Sequence, residues 1–146
     1  METSEKGIAL IKRFEGLKLN AYLCSAGVPT IGYGNTYYPN GTKVKLGDTI
    51  SKEQADELLI DILKKFEGIV NRKLKVKVTQ NQFDALVSHT YNTGGSDTLF
   101  RLINTGSDKQ TIKDWIETRY ITANGVKLNG LVRRRKAESD LFFQTD

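Results

Sequence analysis

The chain has 146 residues, a net charge of +5, 38% hydrophobic residues and 27% charged residues, an ordinary composition for one folded domain. Its apolar runs are far too short for a membrane-spanning helix, and the mixed charges of METSEKGIALIKRFEG do not resemble a signal peptide, so stable membrane insertion is not expected. One cysteine and one histidine exclude an internal disulfide and leave no basis for a zinc site or another cofactor.

The first third of the chain changes from a helical to a β pattern. Apolar residues at helical spacing predict a helix over residues 3–14. From residue 17 to residue 47, short β-prone runs alternate with glycines. Within them, TIGYGNTYYPNGTKVKL predicts two strands joined by a turn at Asn40–Gly41. We therefore expect a small sheet after the first helix.

A long helix is predicted over residues 51–74. Ser51 and Gln54 have the spacing of a capping box, in which each side chain accepts a hydrogen bond from the other residue's backbone. One face is apolar from Ala55 to Val70. At about 1.5 Å per residue the helix would be about 35 Å long, which is sufficient to connect two lobes.

Further helices are predicted in the second half. Thr79 and Gln82 predict another capping box, at the start of a helix that ends at Asn92–Gly95. A short helix follows through Leu99 and Ile103.

The last quarter is predicted to add two more helices. Ser107 and Gln110 are expected to cap a helix that carries Trp115 into the core. The following ITANGVKLNG is predicted to be a loop, and the last helix begins near Asn129. The order of helix, small sheet, long helix and helical bundle places the chain in the α+β class.

Three side chains in residues 14–36, FEGLKLNAYLCSAGVPTIGYGNT, can act chemically. Glu15 has apolar neighbours, which favour the protonated carboxyl that a general acid needs. Cys24 lies at a predicted turn or strand end, and Thr30 opens a predicted strand. Each has a simpler interpretation: a surface glutamate at a helix end, a small buried hydrophobe and a β-prone residue. Taken singly, these simpler interpretations are favoured.

The positive charge indicates a polyanionic partner without identifying it. The densest basic cluster, residues 133–136, is followed by Glu138 and Asp140. Nucleic acid and the bacterial cell wall are both polyanions. No aromatic RNA-binding signature or zinc-finger spacing accompanies the cluster, so nucleic-acid binding is not expected.

Taken together, the three residues resemble the active site of the phage-type lysozymes, glycoside hydrolase family 24. In that family Glu is followed nine positions later by Asp or Cys, and six positions later by Thr, as in Glu15, Cys24 and Thr30. Downstream, TQNQFDALVSHTYNTG and NGLVRRRKAESDLF are similar to the family's second-lobe helix and its arginine-bearing C-terminal helix. The resemblance implies a two-lobed lysozyme fold that cleaves the β-1,4 bond between N-acetylmuramic acid and N-acetylglucosamine in peptidoglycan.

The resemblance also implies an organisation and a mechanism. Residues 15–50 would form the β lobe, residues 51–74 the inter-lobe helix, and residues 75–146 the helical lobe, on which helix 3–14 packs. In the active site Glu15 would be the acid and Thr30 would hold the attacking water. Many members carry Asp at the position of Cys24, so base, nucleophile and orienting dipole stay open as roles for the thiol.

Supporting residues follow from the same resemblance. Tyr91 and Asn92 would line the cleft, and Gly34 would support it. Arg134 would pair with Glu15; its simpler interpretation is a solvated basic run that pairs with Glu138. Asn35 stands where the family commonly has His, which we interpret as a structural variation.

His89 has no partner pattern, and no catalytic role is expected for it. The resemblance implies a monomer made in the bacterial cytoplasm that acts on the cell wall after release through a holin-type pore. The alternative is a lysozyme-like protein that binds the cell wall without cutting it, because Cys24 replaces a carboxylate.

Overall fold

A computed structural model describes residues 1–145, which contain six helices and two small antiparallel sheets. The helices are α1 (Glu5–Glu15), α2 (Lys52–Lys73), α3 (Gln80–Thr93), α4 (Asp97–Asn104), α5 (Lys109–Thr118) and α6 (Asn129–Phe143). The strands are β1 (Lys18–Leu23), β2 (Pro29–Gly32), β3 (Thr122–Ala123) and β4 (Val126–Lys127). The predicted α+β class is confirmed. Among these helices, none combines the length and apolar character needed to cross a membrane.

The chain packs as two compact units. Residues 11–65 form the first, here called the hairpin unit, and residues 1–10 with the chain from Phe66 onward form the second, the helical unit. The boundaries fall inside α1 and inside α2. That α2 connects two lobes stays a prediction.

The hairpin unit is built on β1 and β2, which pair antiparallel with Leu23 opposite Pro29. The predicted turn at Asn40–Gly41 is present, but the residues beside it form only an isolated bridge, between Tyr37 and Lys43. Gly41 has φ +86, a left-handed conformation that glycine adopts without steric cost. β2 therefore pairs with the preceding strand, β1, and the loop that contains Cys24 joins the two strands.

A small apolar core supports the hairpin unit. Its buried members Ile31, Val44 and Leu58 come from β2, the following loop and α2. Both faces of β1 stay largely exposed, so the sheet buries apolar surface mainly through β2. The core thus holds β2 more firmly than its partner strand.

Both predicted capping boxes are confirmed. The Ser51 N–H donates to Gln54 Oε1 at 2.8 Å, and the Gln54 N–H donates to Ser51 Oγ at 3.1 Å. Thr79 and Gln82 make the same reciprocal pair at the start of α3, with distances of 2.9 and 3.1 Å. Such pairs satisfy two N–H groups that a helix otherwise leaves open at its first turn.

Two predictions for the last quarter are wrong. The N-cap of α5 is Asp108 instead of Ser107 with Gln110, because the Asp108 carboxylate accepts the Thr111 N–H at 2.8 Å. The sequence ITANGVKLNG is not a plain loop, since β3 and β4 form a hairpin within it. Asn124 and Gly125 at its tip both have positive φ, as a two-residue hairpin turn requires.

The helical unit is organised around α6, which packs against α3 and α5, while α4 packs against α5. Its buried apolar side chains come from all four of these helices; they include Phe83, Leu86, Val87, Leu99, Phe100, Ile103, Ile112, Ile116, Leu141 and Phe142. The stretch of α3 from Phe83 to Thr90 is buried at every position, so this helix lies inside the unit instead of on its surface.

Candidate active site

Glu15 is the last residue of α1 and is partly exposed. The helix ends there because Gly16 has φ +73 and its N–H bonds the Lys12 carbonyl at 3.0 Å, which is a left-handed helix cap. Only Gly16 and Leu17 separate the carboxyl-bearing residue from β1. The helix end therefore places Glu15 at the entrance to the β1–β2 hairpin.

Cys24 and Thr30 lie on opposite arms of the β1–β2 hairpin. Cys24 directly follows β1, and its N–H donates to the Val28 carbonyl at 3.1 Å. Thr30 is the second residue of β2 and pairs with Tyr22. The loop closes tightly because the Gly27 N–H bonds the Cys24 carbonyl at 2.8 Å. The six-residue spacing in sequence thus places the two residues on facing arms of one hairpin.

The hairpin loop stabilises the thiolate form of Cys24. A hydrogen bond from the Val28 backbone lowers the pKa of the thiol most, the Ala26 backbone lowers it further, and burial opposes them. The cysteine is half-buried and reduced. A lowered pKa increases the fraction of negative charge on the sulfur at neutral pH.

Thr30 is buried, with 4% of its surface exposed, and its hydroxyl donates to the Val28 carbonyl at 2.9 Å. A hydroxyl that donates its proton in this way still has lone pairs with which it can accept a hydrogen bond. The Thr30 oxygen can therefore hold one hydrogen of a water molecule.

The structural interpretation of Asn35 agrees with its surroundings. Its side chain is buried and donates to the Leu58 carbonyl at 3.2 Å. Its backbone exchanges two hydrogen bonds of 2.9 Å with Ile31. The intervening Gly34 has φ +101, so the turn requires a residue without a Cβ. Both Gly34 and Asn35 thus shape the end of β2.

Two other predicted site residues lie at the end of α3, in the helical unit. Tyr91 is half-buried and packs edge-on against Phe66, with ring centroids 5.1 Å apart. Asn92 is exposed, and its Oδ1 accepts a hydrogen bond of 2.7 Å from Arg135. The amide is therefore held by a residue that the sequence analysis did not single out.

Arg134 is not part of a solvated basic run, since only 3% of its surface is exposed. It does pair with Glu138, at 3.3 Å, and its Nη2 donates to the Ser88 carbonyl at 3.2 Å. Arg135 lies beside it with no exposed surface, and its Nε is 2.8 Å from Glu138 Oε1. The predicted pairing of Arg134 with Glu15 stays a prediction.

The buried charges on α6 form one network with α3. Ser88 Oγ donates to Glu138 Oε2 at 2.6 Å, and both arginines pair with the same carboxylate. Burial raises the pKa of Glu138, and the charges of Arg135 and Arg134 oppose that rise. The signal that could have identified the network was the spacing of Arg134 and Arg135 four and three residues before Glu138.

His89 is buried beside this network. Burial, followed by the charges of Arg135 and Arg134, lowers the pKa of His89 to about 3. Its ring packs against Trp115 and Tyr120, with centroid distances of 5.9 and 5.6 Å. A histidine that stays neutral at every physiological pH contributes packing rather than proton transfer.

Comparison with known proteins identifies the family of this chain. The family model for phage lysozyme matches residues 12–138. An endolysin of Acyrthosiphon pisum secondary endosymbiont phage 1 is 39% identical over 148 residues, which cover 97% of this chain and 98% of that protein. An endolysin of Bacillus phage B103 is 41% identical over 97% of this chain, but the chain spans only 54% of that longer relative.

Solved structures of similar proteins support the same family. An endolysin from Escherichia coli O157:H7 phage FAHEc1 superposes with a TM-score of 0.87 and 42% identity, covering 98% of this chain and 94% of that one. The muramidase domain of SpmX from Asticaccaulis excentricus gives a TM-score of 0.84 and 32% identity, covering 99% of both chains. With a helix-terminal glutamate, a hairpin cysteine and threonine, and this fold, the chain belongs to the phage lysozyme family.

Proposed function

We propose that the chain is a muramidase that hydrolyses the β-1,4 bond between N-acetylmuramic acid and N-acetylglucosamine in peptidoglycan, with Glu15, Cys24 and Thr30 as its catalytic residues. The observation that carries the proposal is the family match over residues 12–138, because it contains all three residues at the family's spacing. The position of Cys24 and Thr30 on facing arms of one hairpin supports their joint role.

Glu15 would act as the general acid. Cleavage of a glycosidic bond requires a proton on the leaving oxygen, and a carboxylic acid beside the bond can deliver it. Glu15 projects from the end of α1, where Gly16 redirects the backbone into the hairpin. This position keeps the carboxyl partly exposed, as contact with a substrate requires.

Cys24 would supply the negative charge that many family members obtain from Asp. Cleavage passes through a transition state in which the sugar ring carries positive charge, and a nearby anion stabilises it. The hydrogen bonds that lower the pKa of Cys24 favour its thiolate. This supports an orienting or electrostatic role, which experiment must distinguish from the roles of base and nucleophile.

Thr30 would position the attacking water. Its hydroxyl proton is directed to the Val28 carbonyl, which fixes the side chain and leaves the oxygen to accept a hydrogen bond from water. Because Thr30 is buried on β2, the hydroxyl is held in one place before substrate arrives. Preorganised contacts of this kind lower the entropic part of an activation barrier.

The enzyme acts on the bacterial cell wall after release. We propose that a holin-type pore supplies the route from the cytoplasm, and that the enzyme works as a monomer without nucleic acid. The net charge of +5 supports the encounter, since peptidoglycan and its associated polymers are anionic.

Identification of the reducing-end sugar of released fragments tests the proposal. Purified peptidoglycan is digested, and the new reducing ends are reduced with borohydride and analysed. We expect reduced N-acetylmuramic acid, and we expect Glu15→Gln to lower its release by roughly 10²–10⁴-fold with an unchanged melting temperature. Binding of peptidoglycan without release of any new reducing end would favour the non-cutting alternative instead.

A further inference from the structure

The exposed amide of Asn92 is fixed by a buried side chain. Asn92 lies in the last turn of α3 with its side chain in solvent. Arg135, on α6, has no exposed surface, and its Nη2 donates to Asn92 Oδ1 at 2.7 Å. This is a short, charge-assisted hydrogen bond between a buried cation and a surface amide.

The chemistry of the pair determines the orientation of the amide. A guanidinium group has only donors, so the oxygen of Asn92 must face Arg135 and its NH₂ group must face away. Within residues 1–145, no hydrogen bond of the Asn92 NH₂ group to another residue is present. Two N–H donors are thus presented to solvent in a defined direction.

Arg135 is itself fixed in two places. Its Nε lies 2.8 Å from Glu138 Oε1, and its Nη2 donates to Glu138 Oε2 at 3.3 Å. Ser88 Oγ donates to the same carboxylate at 2.6 Å. A chain of buried contacts therefore runs from Ser88 through Glu138 and Arg135 to the exposed amide.

We propose that Arg135 is a positioning residue for substrate binding, which holds Asn92 so that its NH₂ group donates to an acceptor oxygen of the peptidoglycan glycan. The inference rests on the proposed function. A free asparagine side chain loses rotamer freedom when a ligand orders it, at a cost in affinity. Arg135 removes that cost because the amide is already ordered before the substrate binds.

The test separates substrate binding from turnover. Soluble peptidoglycan fragments are used to measure KM, kcat and melting temperature for Asn92→Ala, Asn92→Asp, Arg135→Lys and the double variant Arg135→Lys with Asn92→Ala. Loss of one hydrogen bond to substrate raises KM about five- to tenfold when ground state and transition state lose it equally. We expect that rise, with kcat within about twofold, in each single variant.

The double variant distinguishes positioning from a purely structural role. If Arg135 acts through Asn92, adding Arg135→Lys to Asn92→Ala produces no further rise in KM. Arg133→Lys is the matched control, since Arg133 is exposed on the same helix and should leave KM and melting temperature unchanged. The proposal would be overturned if the two single-variant increases in KM multiplied in the double variant. It would also be overturned if Arg135→Lys lowered the melting temperature and left KM unchanged.

Asn92→Asp keeps the proposal testable even where Arg135→Lys fails to fold. The aspartate still accepts from Arg135 but cannot donate, so KM should rise without loss of stability. An unchanged KM in this folded variant contradicts the inference alone, provided that the parent cleaves and Glu15→Gln does not. If the parent itself releases no fragments, the proposed function is at fault instead.

Discussion

The two units of the molecule, each of which contains residues predicted for the site, are built in opposite ways. In the hairpin unit, the Cys24 loop is mostly exposed and is held by backbone hydrogen bonds such as that from Cys24 to Val28. In the helical unit, α3 and α6 share a face on which Arg134, Arg135 and Glu138 are buried. Backbone bonds shape the first region, and buried side-chain charges order the second.

This difference indicates that the loop serves the chemistry, whereas the buried network serves stability and order. A loop held by its own backbone can tune a side chain, as it lowers the pKa of Cys24, while burying little surface. A buried ion network is costly to assemble because its charges lose their hydration, but it restricts its side chains to one arrangement. We therefore expect changes in the loop to alter activity, and loss of the carboxylate that joins the network to alter stability.

The largest effect on stability is expected from Glu138→Ala. It leaves two buried arginines without their shared carboxylate, and breaking a buried pair in this way costs about 3–5 kcal/mol. Urea unfolding measures the loss. Lys136→Ala is the control on the same helix, because its ion pair with Asp140 is exposed and should contribute little to stability. A loss from Glu138→Ala as small as that of the control would contradict the contrast between the two regions.

His89 is expected to make the helical unit sensitive to acid. Its pKa is lowered to about 3 in the folded protein, whereas an unfolded histidine titrates near 6.5. As the pH falls from about 6.5 towards 3, the unfolded chain takes up a proton that the folded chain does not, so stability is lost. The loss is about 2 kcal/mol at pH 5.

Substitution isolates the contribution of His89. We expect the free energy of unfolding of His89→Gln to vary less between pH 6.5 and pH 5 than that of the parent. Several surface carboxylates, among them Asp56 and Asp97, have lowered pKa values, and they contribute below this window in both proteins. Equal pH slopes for the parent and the variant would show that His89 is not responsible.

Cys24 is expected to affect activity rather than stability. Cys24→Asp restores the carboxylate common in the family and should keep lysis within a few-fold of the parent. Cys24→Ala removes the polar atom and should lower lysis by about tenfold or more, with little change in melting temperature. If Cys24→Ala were fully active while Cys24→Asp unfolded, the thiol would be a packing group, and Glu15 and Thr30 would act without it.

The smallest effects are expected from two matched glycine substitutions. Gly27 and Gly106 have φ of +77 and +74 with open space around them, so Ala should cost about 1 kcal/mol at either position. Gly27 lies in the loop whose backbone bonds Cys24, and Gly106 lies after α4. Only Gly27→Ala should also raise the pKa of the Cys24 thiol, measured as an upward shift in the pH profile of its alkylation. Equal pH profiles in the two variants would show that the loop does not lower the pKa of the Cys24 thiol.

Local patterns in the sequence predicted most of the helices because their signals lie within a few residues. The capping boxes of Ser51 and Thr79 are examples, since each needs only a partner three positions later. The prediction for α5 was wrong because Asp108 competes for the same helix start, and its carboxylate is the stronger acceptor. The missed β3–β4 hairpin had a local signal, Asn124–Gly125, in strands too short to show alternation.

The candidate site, too, could be predicted only in part from the sequence. The spacing of Glu15, Cys24 and Thr30 is a property of the sequence, and the family match contains it. The loop whose backbone lowers the pKa of the Cys24 thiol depends on the pairing of β1 with β2, which hydropathy does not specify for so exposed a strand.

The sequence by itself determined the α+β class, the positions of the helices and the residues that resemble a lysozyme site, because propensity, capping and spacing act over short distances. Only the tertiary structure decided that Arg134 and Arg135 are buried and that Asn92 is held by one of them. A row of basic residues on a helix is usually solvated, and its burial depends on a carboxylate and a neighbouring helix that compensate the lost hydration. On α6 that compensation comes from Glu138 and from Ser88 of α3, and their meeting is a consequence of packing between distant segments.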